Sequence, residues 1–570
     1  MPSNWRSKEF LDTTTGQRCR YLFGYDIYTA PVEVGGIADK TTKIKFRKEF
    51  IGISEPPISK SMGPVLTGLA PLKPASSIYN AHASLSKRVG REFLPTNPAL
   101  MQEFADFSRK FIRERFQHII PRTEMFDFEE WLVTTPYNQN KKDQLRKLRQ
   151  NNLHVFHRIF CDQMKKLGSF TKDESYPEFK PSRFINARKD AAKIVLGPIV
   201  KKIEALAYEH YSFIKHTPVT ERVDKIISVL GTKGPFYVSD YSAFESLFTR
   251  ELFETCEMPF YEHMLSEHPD RDNIMQLFRS IMLGKNNMVS KHANMIVNNR
   301  RMSGEMNTSL GNGITNLLIL SFIAHKSGVD IKMFVEGDDG IMSTSGPLRE
   351  ELFAQIGIRA KIQRHDQLGT TSFCGILFDP ECRQQITDPR AAIINFAWTK
   401  KTHLHSKQST LKALLKAKAM SFIYQAPACP CLTEYCRMIL RNTRNVSVHR
   451  VIEHERNQWM YDWYQQILTA HPEIVQNKWY DQTEEIKYGT RLLVEQLFHI
   501  PVSQQLAFEH YMRHKNDLLP IEGHLFPSLE TPQNWLMYDN FTLSLPARLT
   551  SQQMSTVHFR IAPYNTDWEI

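Results

Sequence analysis

Residues 331–343 read Ile-Lys-Met-Phe-Val-Glu-Gly-Asp-Asp-Gly-Ile-Met-Ser. Two apolar runs flank Gly337-Asp338-Asp339-Gly340, so the pattern predicts strand, tight turn, strand. Taken alone this is an ordinary hairpin, because Asp-Gly is a common type I′ pair. Adjacent acids at a hairpin apex can also present a carboxylate at the end of a sheet. Hard cations such as Mg²⁺ take oxygen ligands of that kind. A second strand is expected over Phe236-Tyr-Val-Ser239 and ends in Asp240. A buried strand that stops at an unpaired acid is costly unless the acid binds a cation or caps a helix. Two strand-end acids are what two-metal phosphoryl transfer requires, with the ions about 3.5–4 Å apart.

Between these acids lies Arg301-Met-Ser303-Gly304-Glu-Met-Asn-Thr308-Ser309-Leu-Gly311-Asn312. Gly304 permits an open turn. Thr308 and Asn312, four apart, share a face once a helix begins, with Ser303 approaching from the turn. Small polar side chains so arranged suit a ribose hydroxyl. Serine capping and a plain helix start would explain the same residues.

The chain has 570 residues, enough for three or four domain-sized units. Hydrophobic residues at 41% and charged residues at 23% exclude wholesale disorder and coiled coil. The net charge of +11 fits a nucleic-acid partner without requiring one. Eight cysteines do not make a disulfide scaffold. The first ten residues lack an apolar core, so no signal peptide is expected. The most apolar run, 314–324, is shorter than the ~20 residues that span a bilayer. The expectation is a soluble protein of a reducing cytoplasm.

Pattern along the chain predicts an irregular N-terminal arm to residue 80, packed on something larger. Helices are expected near 96–116, 141–165, 243–267, 271–287, 311–327 and 347–356. A strand is expected at 358–363, a hairpin or strand at 290–300, and a hairpin at 371–378 with 383–387. Helices dominate from 390 onward. The 141–165 helix carries Lys141, Lys142, Arg146 and Lys147, a solvated face or a template-facing one. Cys429, Cys431 and Cys436, with His403 and His405 upstream, lack the usual zinc spacing and read as packing residues. Trp459, Trp463 and Trp479 read the same way.

With the three acidic and polar segments in this order, the chain resembles a viral RNA-dependent RNA polymerase. The nearer likeness is to the tombusvirus-like and flavivirus-like branch of plus-strand RNA viruses. Phe236–Glu245 resembles motif A, Arg301–Asn316 motif B and Glu336–Gly340 motif C. Lys172–Arg188 resembles motif F, Gly357–Lys361 motif D and Ser372–Gly375 motif E. The resemblance implies an α+β closed right hand whose palm sheet is flanked by helices. The implied segments are an N-terminal arm or fingertip extension (1–80), fingers (81–235), palm (236–270), a fingers insertion (271–300), palm (301–385), and a thumb with C-terminal extension (386–570).

By the same resemblance Asp240, Asp338 and Asp339, with the Tyr241 carbonyl, hold two Mg²⁺ or Mn²⁺ ions, and Lys361 is a general acid. Lys172, Lys180, Arg183 and Arg188 meet the triphosphate. Glu245, Ser303, Gly304, Thr308 and Asn312 meet the sugar. Glu245 departs from the family pattern, which has Asp there; one added methylene is expected to let it still accept a bond from Ser303 or Asn312. The implied activity is RNA-templated RNA synthesis that replicates a viral genome, with primer-independent initiation open. Its partners would be template and nascent RNA, ribonucleoside triphosphates and viral replication proteins. The implied setting is the host cytoplasm, at membranes reached through a partner. A reverse transcriptase and a non-catalytic RNA-binding replicase subunit are the competing readings.

Overall fold

The computed structural model describes residues 42–47, 60–66, 81, 84–151, 162–174, 182–241, 243–454, 464–465, 467–469 and 483–521. The described residues form a mixed α+β architecture of three antiparallel or mixed sheets flanked by helices.

The first sheet has five strands in the order β1-β6-β5-β2-β3. These are β1 (Lys43–Phe46), β2 (Lys166–Thr171), β3 (Phe184–Arg188), β5 (Lys285–Val289) and β6 (Ala293–Asn298). Burial alternates along them, the signature of a sheet covered on one face. Leu167, Phe184, Met288, Met295 and Val297 point to the covered face, where they pack with Leu85, Val89 and Met302.

The second sheet has the order β7-β8-β4-β9, with β4 (Phe236–Tyr241), β7 (Ile331–Glu336), β8 (Asp339–Thr344) and β9 (Ala360–His365). Both of its faces are covered. Tyr237, Tyr241, Met333, Val335 and Met342 share the largest core with helices α1 (Pro98–Arg115), α2 (Asp190–Ala207) and α3 (Thr308–Ser327). Phe236, Phe334 and Ile341 face the helix Arg222–Leu230 and residues Phe373 and Ile376. Helix α3 is buried continuously from Leu310 to Ala324. Its all-round apolarity is that of a core helix, not a surface one.

The C-terminal unit is helical and has its own core around α4 (Gln408–Gln425), α5 (Leu432–Asn442) and α6 (Val502–His514). Cys429, Cys431 and Cys436 are buried there, with burial pushing their thiols up. The expected N-terminal arm enters both halves. Strand β1 pairs with β6, while Met62, Val65 and Leu66 join the C-terminal core. Backbone bonds from Met62 N–H to Ala397 O (2.7 Å) and from Ile521 N–H to Val65 O (2.8 Å) hold it there. No helix among the described residues is long and apolar enough to cross a membrane.

Several expected boundaries move. The helix expected over 141–165 begins at Gln139 and is described to Asn151; residues 162–164 are again helical, and Lys166 begins a strand. The 243–267 helix begins as a 3₁₀ turn, because Ala243 adopts a left-handed φ of 57°; the helical run starts at Arg250, capped by Thr249, and reaches Met264. The 271–287 helix stops at Met282, and Gly284 precedes β5. Of the 371–387 pair, the strands are only Leu377–Asp379 and Gln384–Ile386. Residues 373–376 form a tight turn instead, with Cys374 and Gly375 both at positive φ. Trp459, Trp463 and Trp479 lie outside the described residues.

Buried charge ties the first sheet to the 301–307 turn and the helical segment at Glu257–Tyr261. Arg188 at the end of β3 donates from Nε to Glu305 (2.8 Å) and from Nη2 to Asn286 (2.7 Å). Glu305 also pairs with Arg301 (3.5 Å), and Arg301 pairs with Glu257. Tyr261 and Asn307 each donate to Glu257 at 2.7 Å. The side chains of Arg188, Glu305, Arg301 and Glu257 are at most 3% exposed. Gly311 makes room: a Cβ there would stand 2.3 Å from Glu257 and 2.6 Å from Arg301. Two positive and two negative groups make the cluster formally neutral, and burial still lowers the Arg301 guanidinium to about 10. Removing one partner leaves a buried charge uncompensated, which costs about 3–5 kcal/mol. Arg301→Leu and Glu257→Gln should each lower unfolding free energy by about that amount in urea titration. An unchanged midpoint for either variant would show the network to be dispensable.

Candidate functional site

The site lies at the end of the second sheet where the β7–β8 hairpin turns. Glu336 pairs with Asp339, so the two turn residues are Gly337 and Asp338. Gly337 has φ +59°, while Asp338 is not at positive φ. One positive φ at the first turn position is the type II′ pattern, not type I′. The expected Asp339-Gly340 turn is therefore displaced by one residue: Asp338 tops the hairpin and Asp339 begins β8. Strand β4 runs alongside β8, with Ser239 opposite Gly340. One residue further on each strand stand Asp240 and Asp339. On the other side of β4, Asp240 faces Lys361 of β9 directly, so the two side chains share a face. This is the face of Phe236 and Val238; its apolar part is covered, and Asp240 runs past the cover into solvent.

Electrostatics mark the hairpin. Asp338 opens to solvent, yet the protein around it and the neighbouring Asp339 push its carboxyl up to about 6; Glu245 adds to this and Arg183 opposes it. Asp339 is raised by burial, with Asp240 contributing and a hydrogen bond from Cys374 opposing. Cys374 comes from the tight turn at 373–376. No described cation forms an ion pair with Asp240, Asp338 or Asp339. Among the described residues, no three His, Cys, Asp or Glu side chains converge as a ready-made metal cage.

Asn316, inside the Arg301–Asn316 segment but not singled out from sequence, positions the site. It accepts from the Tyr241 hydroxyl (2.8 Å) and donates to the carbonyls of Asp339 (3.1 Å) and Gly337 (3.3 Å). It therefore holds the end of β4, the hairpin and helix α3 together. Its only sequence signal is a buried polar residue inside an apolar helix, which must find partners.

The other expected residues divide. Ser303 and Gly304 lie against β3: Ser303 Oγ donates to Phe184 O (2.7 Å), and Asn186 N–H donates to Ser303 O (2.6 Å). Gly304, at φ +116°, leaves no room for a Cβ beyond about 3.1 Å from Ile185. The Thr308 hydroxyl accepts from Gly304 N–H (3.2 Å) and donates back to Glu305 O (3.0 Å), so it is used inside the turn. Asn312 is buried, and its Oδ1 has no hydrogen-bond partner among the described residues.

Glu245 corrects an expectation. It pairs with Arg88 at 2.7 Å, not with Ser303 or Asn312. Its longer side chain reaches a segment far back in the chain, which local pattern does not reveal. Arg188 is a second correction. Enclosed by Glu305 and Asn286, it braces the first sheet and presents nothing to a triphosphate. Arg183 is exposed and within electrostatic reach of Asp338 and Asp339; it pairs with Glu174, as Lys172 does at 2.8 Å. Lys180 lies outside the described residues. On the basic helix, Lys141 pairs with Asp190, and Arg146 binds Glu129 (2.9 Å) and Asp143 (3.1 Å). Those two are braces, not template contacts.

The raised Asp338 pKa makes a stability prediction. The folded protein holds this proton more tightly than the unfolded chain, so folding loses stability as pH rises from about 4 to about 6. Asp338→Asn removes the charge. In buffer free of divalent ions, the variant should melt above wild type at pH 8, with the gap closing near pH 4. A constant gap across that range would contradict the electrostatic account.

Residues 257–516 match the model of a protein family described as viral RNA dependent RNA polymerase. The matched stretch, a little under half of the chain, includes the Asp338–Asp339 hairpin, Asn316 and the buried Glu257–Arg301 pair. Asp240, Glu245 and the Lys172–Arg188 segment precede the matched region. No curated protein matches the chain.

Proposed function

We propose that this protein extends RNA on an RNA template, adding a ribonucleoside monophosphate to a 3′-hydroxyl and releasing pyrophosphate. The carrying observation is the convergence of Asp240 with the Asp338–Asp339 hairpin inside a fold whose 257–516 region matches a viral polymerase family. The reading extends to the tombusvirus-like and flavivirus-like branch and to a fingers, palm and thumb division, on the motifs quoted above. It also extends to replication in the host cytoplasm at membranes reached through a partner.

The donor set suits magnesium or manganese. Mg²⁺ is usually held by one or two carboxylates plus substrate phosphates, not by an all-protein cage. Asp339 raises the proton affinity of Asp338, and Asp240 raises that of Asp339, a repulsion that a divalent cation relieves. Asp240 and Asp338, with Asp339 and the Tyr241 carbonyl beside them, would hold two such ions. Ions bound there would supply charge neutralisation at the attacking and leaving oxygens of an in-line displacement.

The remaining chemistry belongs to the chain. Arg183, exposed beside the acids, is the triphosphate clamp, since a guanidinium makes forked bonds to phosphate. Lys361, opposite Asp240, is the proton donor to pyrophosphate. Asn312 offers its unpartnered carbonyl oxygen to a ribose hydroxyl. Asn316 fixes the hairpin carbonyls, so the acids keep one geometry.

An assay with RNA template, labelled ribonucleotides and Mg²⁺ or Mn²⁺ tests this reading. Wild type should incorporate label, and chelation should stop it. Asp338→Asn should fall to background while retaining RNA affinity; near-wild-type elongation by it would sink the assignment. Asn316→Ala should lose about 10–100-fold, the usual cost of removing a group that orients site residues. Equal use of deoxyribonucleotides on RNA would favour the reverse transcriptase. RNA binding without any incorporation would favour the non-catalytic subunit.

A further inference from the structure

Among the described residues, the five-stranded sheet has one face packed and the other partly open, and the open face is basic. None of its five strands contains an aspartate or a glutamate. The register defines the open face. Lys43 and Lys45 of β1 stand opposite Ile296 and Asn294 of β6. Asn287 and Lys285 of β5 stand opposite Ile296 and Asn298. Lys166 of β2 aligns with Asn287, and Gly168 with Val289. Directly paired residues share a face, so Lys43, Lys45, Lys166 and Lys285 lie together. Lys189 joins them. A Cβ on Gly168 would stand 3.2 Å from its ammonium nitrogen, so that head lies over the strand. Two residues from Gly168, on the same face, Phe170 is 57% exposed.

All five lysines are exposed, and none forms an ion pair with a described residue. This separates them from Lys141 and Arg146, which acidic neighbours neutralise. Leaving five like charges on one sheet face weakens the fold by mutual repulsion, unless something acidic lies on it.

We infer that the open face of this sheet is a second RNA-binding surface, which takes single-stranded RNA through Lys43, Lys45, Lys166, Lys189 and Lys285 with Phe170 as a base-stacking platform. Lysines that track a backbone beside an exposed aromatic are the physical recipe for sequence-tolerant single-strand binding. Asn287, Asn294 and Asn298 add amide groups that can bond to phosphate or base edges. At about 4.8 Å between strands, the sheet is roughly 19 Å wide, enough for several nucleotides to lie across it. Its edge strand β3 bonds directly to the Ser303–Gly304 turn. An acidic lipid surface would answer the charge equally but would leave the asparagines without a purpose.

The choice of RNA among polyanions rests on the polymerase reading. Binding is therefore measured on the full-length protein without nucleotides, so that its failure leaves templated synthesis to be judged by its own assay. The probe is a fluorescent oligouridylate carrying 4-thiouridine, read by anisotropy across a salt titration and by photo-crosslinking. The triple change Lys43→Gln, Lys45→Gln, Lys285→Gln should reduce the salt slope by about two, at ~0.7 per lost single-strand phosphate contact. The matching lysine-to-arginine triple should restore it. Phe170→Ala should weaken binding about tenfold, the loss of one stacked base, and abolish crosslinks to the 166–172 strand. An unchanged slope, with crosslinks absent from these strands, would overturn the inference. So would loss of binding to phosphatidylserine vesicles with RNA binding intact, which would assign the face to a membrane.

Discussion

The arrangement of this protein depends on four charges that it removes from water. Arg188, Glu305, Arg301 and Glu257 come from a strand, a turn and a helical segment that are distant in sequence. Desolvating such groups costs several kcal/mol each, and only near-perfect pairing repays it. The requirement acts as a specification. The turn from Met302 to Asn307 must adopt the one shape that brings Glu305 to both arginines. That shape lays Ser303 and Gly304 against β3 and starts helix α3 at Thr308. The network stabilises by leaving no cheap alternative, since any slip strands a charge.

Helix α3 carries the consequence to the other sheet. Two turns beyond its start, Asn316 reaches the end of β4 and the β7–β8 hairpin together. The charges at the end of the sheet are managed in the opposite way. At the Asp338 hairpin the carboxylates are desolvated and crowded by other acids, with Arg183 only partly opposing, and their proton affinities rise. Like charges held close are unstable by themselves and useful when a cation or a phosphoryl group arrives. A rigid, balanced network thus supports an unbalanced site, and stability invested in one offsets strain held in the other.

Much of the candidate site was legible because its signals are local. Alternating apolar residues that stop at an acid mark a strand end, so Asp240 and the Asp338–Asp339 hairpin could be read directly. The hairpin register could not. Asp-Gly and Gly-Asp are both good turn pairs, and only pairing across β7 and β8 selects between them. Arg188 shows a different limit. An arginine in a basic segment reads as a phosphate ligand, but its partner is a glutamate 117 residues away. Glu245 was read as a variant of a local pattern, whereas its ion pair is with Arg88, 157 residues back. On the basic helix near 141, acidic neighbours already neutralise Lys141 and Arg146. The lysines of the five-stranded sheet gave no such signal, because they are spread over segments up to 242 positions apart, from Lys43 to Lys285.

By itself the sequence determined many of the helices and strands, the strand-end acids and the polar turn between them. Those follow from periodicity and residue chemistry within short windows. The tertiary structure alone decided which charges are buried as braces and which remain free to act. Burial and pairing are properties of distance in space, and a charged side chain has the same chemical appearance in sequence whether its counter-ion is a distant glutamate, a solvent ion or a phosphate.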